Sequence, residues 1–544
     1  MSIPLLTLMK MRSHTRPAIP IQGYKQLCLR SCWASIVIAL TACTTVGPDF
    51  EKPEAPVAEG WLETAGKSIR IEGGDNREWW KSFNDPALES LIQYAYENNP
   101  TLEIAGLRVY EGRANLGIAS GLKYPQFQQL RGSIDRIELS ENGDPIGNLP
   151  QPVIDASDTS FTNYRLGFDA VWELDFWGRY SRIEQAAVAS LAARTAAYDA
   201  VLVSLTGEVA STYILLRTLE ERLAVARVNE QIQQRGLEIS SVRFRNELTT
   251  ELDPSQARVL LKNTQARIPR LEIALRQAEN ALSQLLGMTP GGVRSIIGGS
   301  AAIPETPATI AVGLPADLLR RRPDIRQAEF LAASQSAAIG VAKAELYPAF
   351  RLGGTIGYTA DSTGDLVDSD SIFSIAGIGF GWNILNYGRI KNKVRANDAR
   401  FQQTLANYEN AVLNAAREVE NGQTSFLRSH EEVKFLHEAS SSARRAVDIA
   451  LIQYRDGLSG YTSVLLTQRS LLLQEDLLTS ARGRLAGNLV GLYRSLGGGW
   501  QLREGNEIIS DEARDSMRQR TDWGDMLDES QPVDNKPGNN LNPQ

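Results

Sequence analysis

The body of this sequence has no cysteine. Cys28, Cys32 and Cys43 all lie near the N-terminus of the 544-residue chain, which excludes a disulfide framework elsewhere. Histidine is nearly absent as well: only His430 and His437 follow His14, too few for a zinc centre of the usual Cys/His kind. No run of 18 or more apolar residues occurs, so a transmembrane helix in the mature chain is not expected. Any membrane-spanning part must then be made of strands. Residues 1–42 carry no acid, only the bases Lys10, Arg12, Arg16, Lys25 and Arg30. Removing those five takes the formal charge from −7 to −12. A body that acidic repels nucleic acid, and no such partner is expected. Nucleophile elbows, Walker loops and paired catalytic motifs are also missing, so neither an enzyme nor a cofactor is expected. Glu208 and Glu418 are the one carboxylate pair that could be imagined, and solvated helix-face residues are the simpler reading.

What the sequence does have begins at the N-terminus. The bases precede a short apolar run, Ala34 to Leu40, the order of a secretory signal peptide over 1–42. The run ends Leu40-Thr41-Ala42-Cys43, which resembles the bacterial lipobox. There the Cys43 thiol takes a diacylglycerol, and the small residues before it fit the signal peptidase. Acyl chains buried at about 0.8 kcal/mol per CH2 anchor firmly. Thr44, where aspartate usually means inner-membrane retention, points to the outer membrane.

The body is one unit written twice. Ala114, Gly117, Ala119, Tyr124, Pro125 and Phe127 recur as Ala337, Gly340, Ala342, Tyr347, Pro348 and Phe350, at an offset of 223. Further on the offset is 210: Trp172, Gly178 and Arg179 match Trp382, Gly388 and Arg389, and Leu286-Gly287 matches Leu496-Gly497. The change places a 13-residue insertion between Tyr124 and Trp172, where the turn-rich stretch 137–160 is the natural loop. The organisation expected is a signal peptide (1–42), a lipid-anchored segment (43–84), repeat 1 (85–290), a linker (291–312), repeat 2 (313–500) and an unstructured tail (501–544) without periodicity.

Each repeat contains alternating stretches. Tyr164, Leu166, Phe168, Ala170, Trp172 and Leu174 alternate with Asn163, Arg165, Gly167, Asp169 and Glu173, the period-two pattern of a strand with one apolar face. Phe350 to Tyr358 and Ile378 to Trp382 repeat it, and 127–136 is a weaker fourth case. Strands of about ten residues suit a tilted membrane crossing, with Trp172 and Trp382 as interface aromatics. Four strands cannot close a barrel, and an open edge in lipid is too costly, so the chain must oligomerise.

After each hairpin comes a heptad seam. In repeat 1 it is Tyr198, Leu202, Leu205, Val209, Thr212, Leu216, Leu219 and Leu223; in repeat 2 it is Tyr408, Val412, Ala415, Val419, Gly422, Phe426, Ser429 and Val433. Few helix breakers interrupt Arg179–Asn246 or Arg389–Asp456, so each predicts a helix of about 100 Å. Turns follow at 245–250 and 455–460. Asp253-Pro254 is the expected cap and first residue of the next helix, and another helix resumes near Tyr461.

Together these residues resemble the outer-membrane factor (TolC-like) family, in its lipoprotein branch serving resistance-nodulation-division efflux pumps. The match is carried by Cys43 with Val46-Gly47-Pro48-Asp49-Phe50, by Trp79-Trp80-Lys81-Ser82-Phe83 with Asp85 and Leu88, by Leu314 to Ile325, by Tyr454-Arg455-Asp456-Gly457-Leu458, and by Leu492 to Trp500. The resemblance implies an α+β fold in which three chains share a 12-stranded outer-membrane β-barrel, four strands from each, continued by a 12-helix periplasmic α-barrel. It implies a homotrimer whose tip meets a periplasmic adaptor protein and an inner-membrane pump. The channel would be a passive conduit for drugs or other small molecules. It places the aperture at Asp456, Ser459, Gly460 and Tyr461. Family members often carry aspartates after the Gly-Leu pair; here Ser459 and Gly460 stand there, a departure from that acidic ring. Two other functions compete. A type I protein-secretion channel on the same fold is disfavoured by Cys43, and a periplasmic coiled-coil scaffold predicts no membrane-facing strands.

Overall fold

A computed structural model describes residues 45–63, 69–70, 76–140, 143–144, 148, 150–154, 158–299, 301–307, 309–316 and 321–527. The signal peptide and Cys43 lie outside the described residues.

Helices α1 (Pro86–Asn98) and α2 (Pro100–Gly121) lead into strands β1 (Phe127–Glu138) and β2 (Ser160–Leu174). The chain then runs through α3 (Arg179–Arg245) and returns in α4 (Leu252–Leu285). Repeat 2 follows the same order: α5 (Pro323–Ala344), β3 (Ala349–Ala360), β4 (Ile372–Gly381), α6 (Arg389–Arg455) and α7 (Tyr461–Ser495). α3 and α6 each have 67 residues, and α2 and α5 each have 22. The duplication is thus structural as well as sequential. The β1–β2 connection (139–159) is longer than the β3–β4 connection (361–371), where the change of offset places the insertion.

The heptad seams are buried, apart from the half-buried Thr212, Gly422 and Val433. Tyr198, Leu202, Val209 and Leu216 join Tyr408, Val412, Val419 and Phe426 in one core cluster. One stretch of α3 is apolar enough to cross a membrane, but 61% of it is buried inside the helical body, as in a core helix.

Two junctions turn short helices into longer ones. The Asn99 side chain caps α2 at Leu102 N (2.9 Å) and donates to Leu285 O (2.7 Å), the last carbonyl of α4. In repeat 2, Arg322 Nη1 donates to Ser495 O (2.8 Å), at the end of α7. Asn99 and Arg322 are repeat equivalents, and so are Leu285 and Ser495. At each junction a side chain preceding one helix satisfies an orphan carbonyl of the other.

A belt of shorter segments covers one side of the α3/α7 pair. Trp79, Trp80 and Phe83 are buried there, with Trp79 stacked on Tyr493 at 5.5 Å. Asp85 caps α1 through Ala87 N (2.9 Å) and accepts from Tyr213 Oη (2.7 Å). The linker contributes a one-turn helix (Arg294–Ile297), and its strand Ile310–Ala311 pairs in parallel with Ile69–Arg70.

The tail expected to be unstructured from 501 is folded as far as Leu527. It forms a 3-10 turn (Trp500–Arg503), helix α8 (Asp511–Arg520) and a second turn (Gly524–Leu527). The reason is burial that composition does not reveal. Ile508, Ile509, Met517 and Leu527 sink into the core. Arg503 Nε pairs with the fully buried Asp199 at 2.7 Å, and Arg113 Nη1 donates to Met526 O at 3.0 Å. Gly106 admits the strap, since a Cβ there would lie 2.1 Å from Ile508 O.

Candidate functional site

The four long strands form one antiparallel sheet in the order β1-β2-β3-β4. Antiparallel partners directly opposite each other point to the same face. The register aligns Leu130–Phe168–Ile356, Ile134–Tyr164, Trp172–Leu352–Ile378 and Leu174–Phe350–Phe380. This face is apolar and uncovered: Leu130 is 74% exposed, Ile356 57%, Ile378 71% and Phe380 71%. The opposite face carries Gln129, Asp169 and Thr355 in one row, with Ser133, Arg165 and Thr359 in another. Thr355 Oγ1 donates to Asp169 there at 2.6 Å. A large exposed apolar patch marks a contact surface, and here it runs across all four strands. The outer edges of β1 and β4 have no strand beside them among the described residues. A periplasmic scaffold, which calls for no such strands, does not account for this sheet.

Trp172 and Trp382 sit at the helix-proximal end of that apolar face. Trp172 Nε1 donates to Lys123 O (3.1 Å) and Trp382 Nε1 to Leu346 O (2.9 Å). Both carbonyls follow the preceding helix, and both pairs are repeat equivalents. Each indole therefore has a satisfied polar end and an apolar body, as an interface aromatic requires.

The far ends of the long helices form the tip. Each hairpin turns in the same way. Leu248 N donates to Arg243 O (2.9 Å) and Leu458 N to Gln453 O (2.8 Å), after a left-handed residue, Glu247 (φ 59°) or Gly457 (φ 77°). This is the carbonyl-satisfying stop of a Schellman motif.

The structure reassigns one residue here. Asp253 does not cap α4. The helix begins at Leu252, with Glu251 as its cap residue, so Asp253 lies in the first turn and its carboxylate is free to bind elsewhere. It accepts from Thr249 Oγ1 (2.5 Å) and, from the other hairpin, Tyr454 Oη (2.8 Å). Arg243 crosses the same gap. Its Nη1 donates to Tyr454 O (3.0 Å) and Arg455 O (3.2 Å), and its guanidinium lies 4.9 Å from the Tyr454 ring centroid. Tyr454 packs edge-on against Tyr461 at 5.2 Å. Burial, then the hydrogen bond to Asp253, pushes the Tyr454 hydroxyl pKa well up. Burial, then the Asp253 charge, pushes Tyr461 up to about 12.

The other aperture residues are plainer. Asp456 follows the end of α6 and accepts from Arg455 Nε at 2.9 Å. Ser459 is half-buried and Gly460 exposed. Tyr461 is 1% exposed, and its hydroxyl has no partner among the described residues. Glu208 is exposed on α3, whereas Glu418 pairs with Arg322 at 2.8 Å. Arg243 and Asp253 were not singled out as tip residues, because their partner lies about two hundred positions away along the chain.

The chain matches the outer membrane efflux protein family over residues 91–288 and 314–498, one segment per repeat. It belongs to that family. The pyoverdine export outer membrane protein OpmQ of Pseudomonas putida is 30% identical over 473 residues, covering 86% of this chain and 97% of the relative. The probable outer membrane lipoprotein SilC of Salmonella typhimurium is 28% identical, covering 86% and 98%. Among solved structures, the outer-membrane channel OprN superposes with a TM-score of 0.79 at 30% identity, covering 84% of this chain and 99% of the other. As an outer membrane efflux protein, the chain is a mixed helix-and-sheet channel component that resides in the outer membrane and carries out transport.

Proposed function

We propose that three copies share one twelve-stranded barrel across the outer membrane, continued by a twelve-helix tunnel into the periplasm. The observation that carries this is the four-stranded sheet: among the described residues its apolar face is bare and both its edges are open. In hydrocarbon, unpaired backbone groups cost several kcal/mol each, so the sheet must continue into others until it closes. The apolar face would then meet lipid and the Asp169/Arg165 face would line the water-filled bore. The belt lies outside the tunnel. Helices of 67 residues, about 100 Å long, carry the tip far below the membrane.

Val46 lies where an anchor would hold the chain. Val46 N donates to Trp177 O (3.1 Å), just past β2, and Asp49 accepts from Arg182 Nη2 (2.8 Å). Lipidation of Cys43, three residues upstream of Val46 in the sequence, is our reading. From Val46 the segment descends: Lys52 pairs with Glu329 (2.6 Å), and Trp61 Nε1 donates to Gly313 O (2.8 Å).

At the tip, the Arg243–Tyr454–Asp253 clamp ties the two hairpins of one chain together. Closed clamps narrow the aperture, and releasing them lets α6 and α7 move away from α3 and α4. A periplasmic adaptor and a resistance-nodulation-division pump are the partners that fit such a tip. The substrate would be a drug or another small molecule, driven by that pump. Neither Ser459 nor Gly460 supplies a carboxylate, so the clamp, rather than an acidic ring, is the gate we assign.

The test is native mass of the full-length protein, extracted from outer membranes in mild detergent without heating. A trimer supports the shared barrel. A monomer would leave four strands unable to close and would sink the reading.

A further inference from the structure

The side of the helical layer opposite the belt also has a shape of its own, and its meaning rests on the channel reading above. Where α7 ends and α5 begins, a recess of about 540 Å³ opens between α3 and α6, within the size range of small-molecule sites. On α7 it is lined by Gly487, Asn488, Gly491 and Arg494, which turn away from Tyr493 and the belt. In the assembled channel this is the bore.

The two repeats differ at this place. Repeat 1 has Gln277, Ala281 and Gln284 where repeat 2 has Gly487, Gly491 and Arg494, and Asn99 where repeat 2 has Arg322. Glycine inside a helix costs stability and usually marks a close approach. Gly483, one turn before, is such a case: a Cβ there would lie 2.2 Å from Thr218 Oγ1. A Cβ at 487 or 491 would meet nothing within 4 Å among the described residues. Packing does not ask for these two glycines, and what they provide is open space.

The charges in that space are not equivalent. Arg322 is 8% exposed and fully engaged, by Asp324 (2.6 Å), Glu418 (2.8 Å) and Ser495 O (2.8 Å). The two carboxylates of the recess are thereby held. Arg494 makes no ion pair or side-chain hydrogen bond among the described residues. Its guanidinium is the uncommitted charge, with the Asn421 and Asn488 amides on the same wall.

We propose that the recess is a transit site for hydrophilic organic anions. Arg494 takes a carboxylate in the bidentate manner that guanidinium favours, and Asn421 hydrogen-bonds the polar body, while Asn488 Nδ2 is held by donating to Ser429 Oγ at 2.7 Å. Cargo would pause halfway along the tunnel, once per protomer.

The test uses the full-length trimer in detergent. The native cysteines are Cys28, Cys32 and Cys43, so the parent chain labelled in parallel gives the background. Gly491→Cys adds one thiol where there is room for it, and Gly487→Cys serves as a second position. Each is reacted with an anionic sulfonate and a cationic trimethylammonium methanethiosulfonate, with rates normalised to a free thiol. The sulfonate should react faster by about fivefold, the effect of one nearby guanidinium in a largely aqueous site. Adding Arg494→Gln, the repeat 1 choice, should bring the two rates to parity, and millimolar citrate should slow the sulfonate in the Arg494 background only. Equal rates with Arg494 present, or no protection by citrate, in a protein that runs as a trimer, would overturn the transit site alone. Absence of a trimer in the parent chain would overturn the channel reading and the transit site with it.

Discussion

Phe244 and Tyr454 occupy the same place in the two repeats, at the foot of α3 and α6. Phe244 is 41% exposed, whereas Tyr454 is 2% exposed and tied to Asp253 of the other hairpin. Asn99 and Arg322 differ in the same sense: a neutral cap in repeat 1, a buried cation engaged by two carboxylates in repeat 2. The backbone was copied closely, but the polar and charged contacts were not. The first repeat supplies Arg243 and Asp253, and the second supplies the residue they hold. Duplication thus gave a scaffold whose symmetry lies in helix length and strand register, while the candidate gate and the recess arise where that symmetry fails.

The largest expected effect tests the sheet, where depth should matter more than repeat. Phe168 lies in the middle of the apolar face, level with Leu130 and Ile356, while Phe380 lies at its helix-proximal end, near Trp382. Phe168→Arg should cost about 2–4 kcal/mol per chain and Phe380→Arg about 0–1, read as the urea midpoint of barrel unfolding from lipid vesicles. Equal costs would mean the face does not cross a membrane at this tilt.

Next comes the junction. Arg322→Asn gives repeat 2 the residue of repeat 1 and leaves Glu418, Asp324 and Ser495 O without their donor. Hydrogen bonds to charged groups are worth about 1.5–3 kcal/mol. Because both carboxylates are nearly half exposed, water should recover part of that, and a loss of about 2 kcal/mol in thermal unfolding is expected. An unchanged melting curve would show that the repeats are interchangeable at this point.

The outcome also bears on what the sequence could reveal. Hairpins, long helices and heptads were legible because each is a local period, two or 3.5, written twice. The place of Trp172 and Trp382 at the strand ends was legible because they end such a period. The clamp was not, since Arg243 and Tyr454 are distant in sequence and a cap at Asp253 satisfied every local rule. The folded segment up to Leu527 was hidden for a related reason. Ile508, Ile509, Met517 and Leu527 are too sparse to make a pattern, and only their docking on α2 and its neighbours shows that they are core.

Releasing the clamp should matter less for stability than for conductance. Tyr454→Phe removes one hydrogen bond to Asp253 and should cost about 1 kcal/mol, too little to unfold the tip. Single-channel recordings should nevertheless show longer or larger openings than the parent, and Arg243→Gln, which copies Gln453, should do the same. Unaltered conductance in both variants would remove the clamp from the gate.

The smallest effect should have the opposite sign. Tyr461 lies beside Tyr454, yet its buried hydroxyl has no partner among the described residues, and such a group costs stability rather than adding it. Tyr461→Phe should therefore be neutral or raise stability by up to about 1 kcal/mol, where Tyr454→Phe lowers it. Alkali separates the two further. The folded structure favours neutral Tyr461, raising its pKa from 10.0 to about 12. Stability tied to that preference is complete below pH 10 and is lost as pH climbs towards 12. In Tyr461→Phe that part of the alkaline loss disappears, so the variant's advantage over the parent should widen across this interval. If the two proteins lose stability in parallel from pH 10 to 12, then Tyr461 is solvated in the native tip, and the second repeat's buried corner is looser than its geometry indicates.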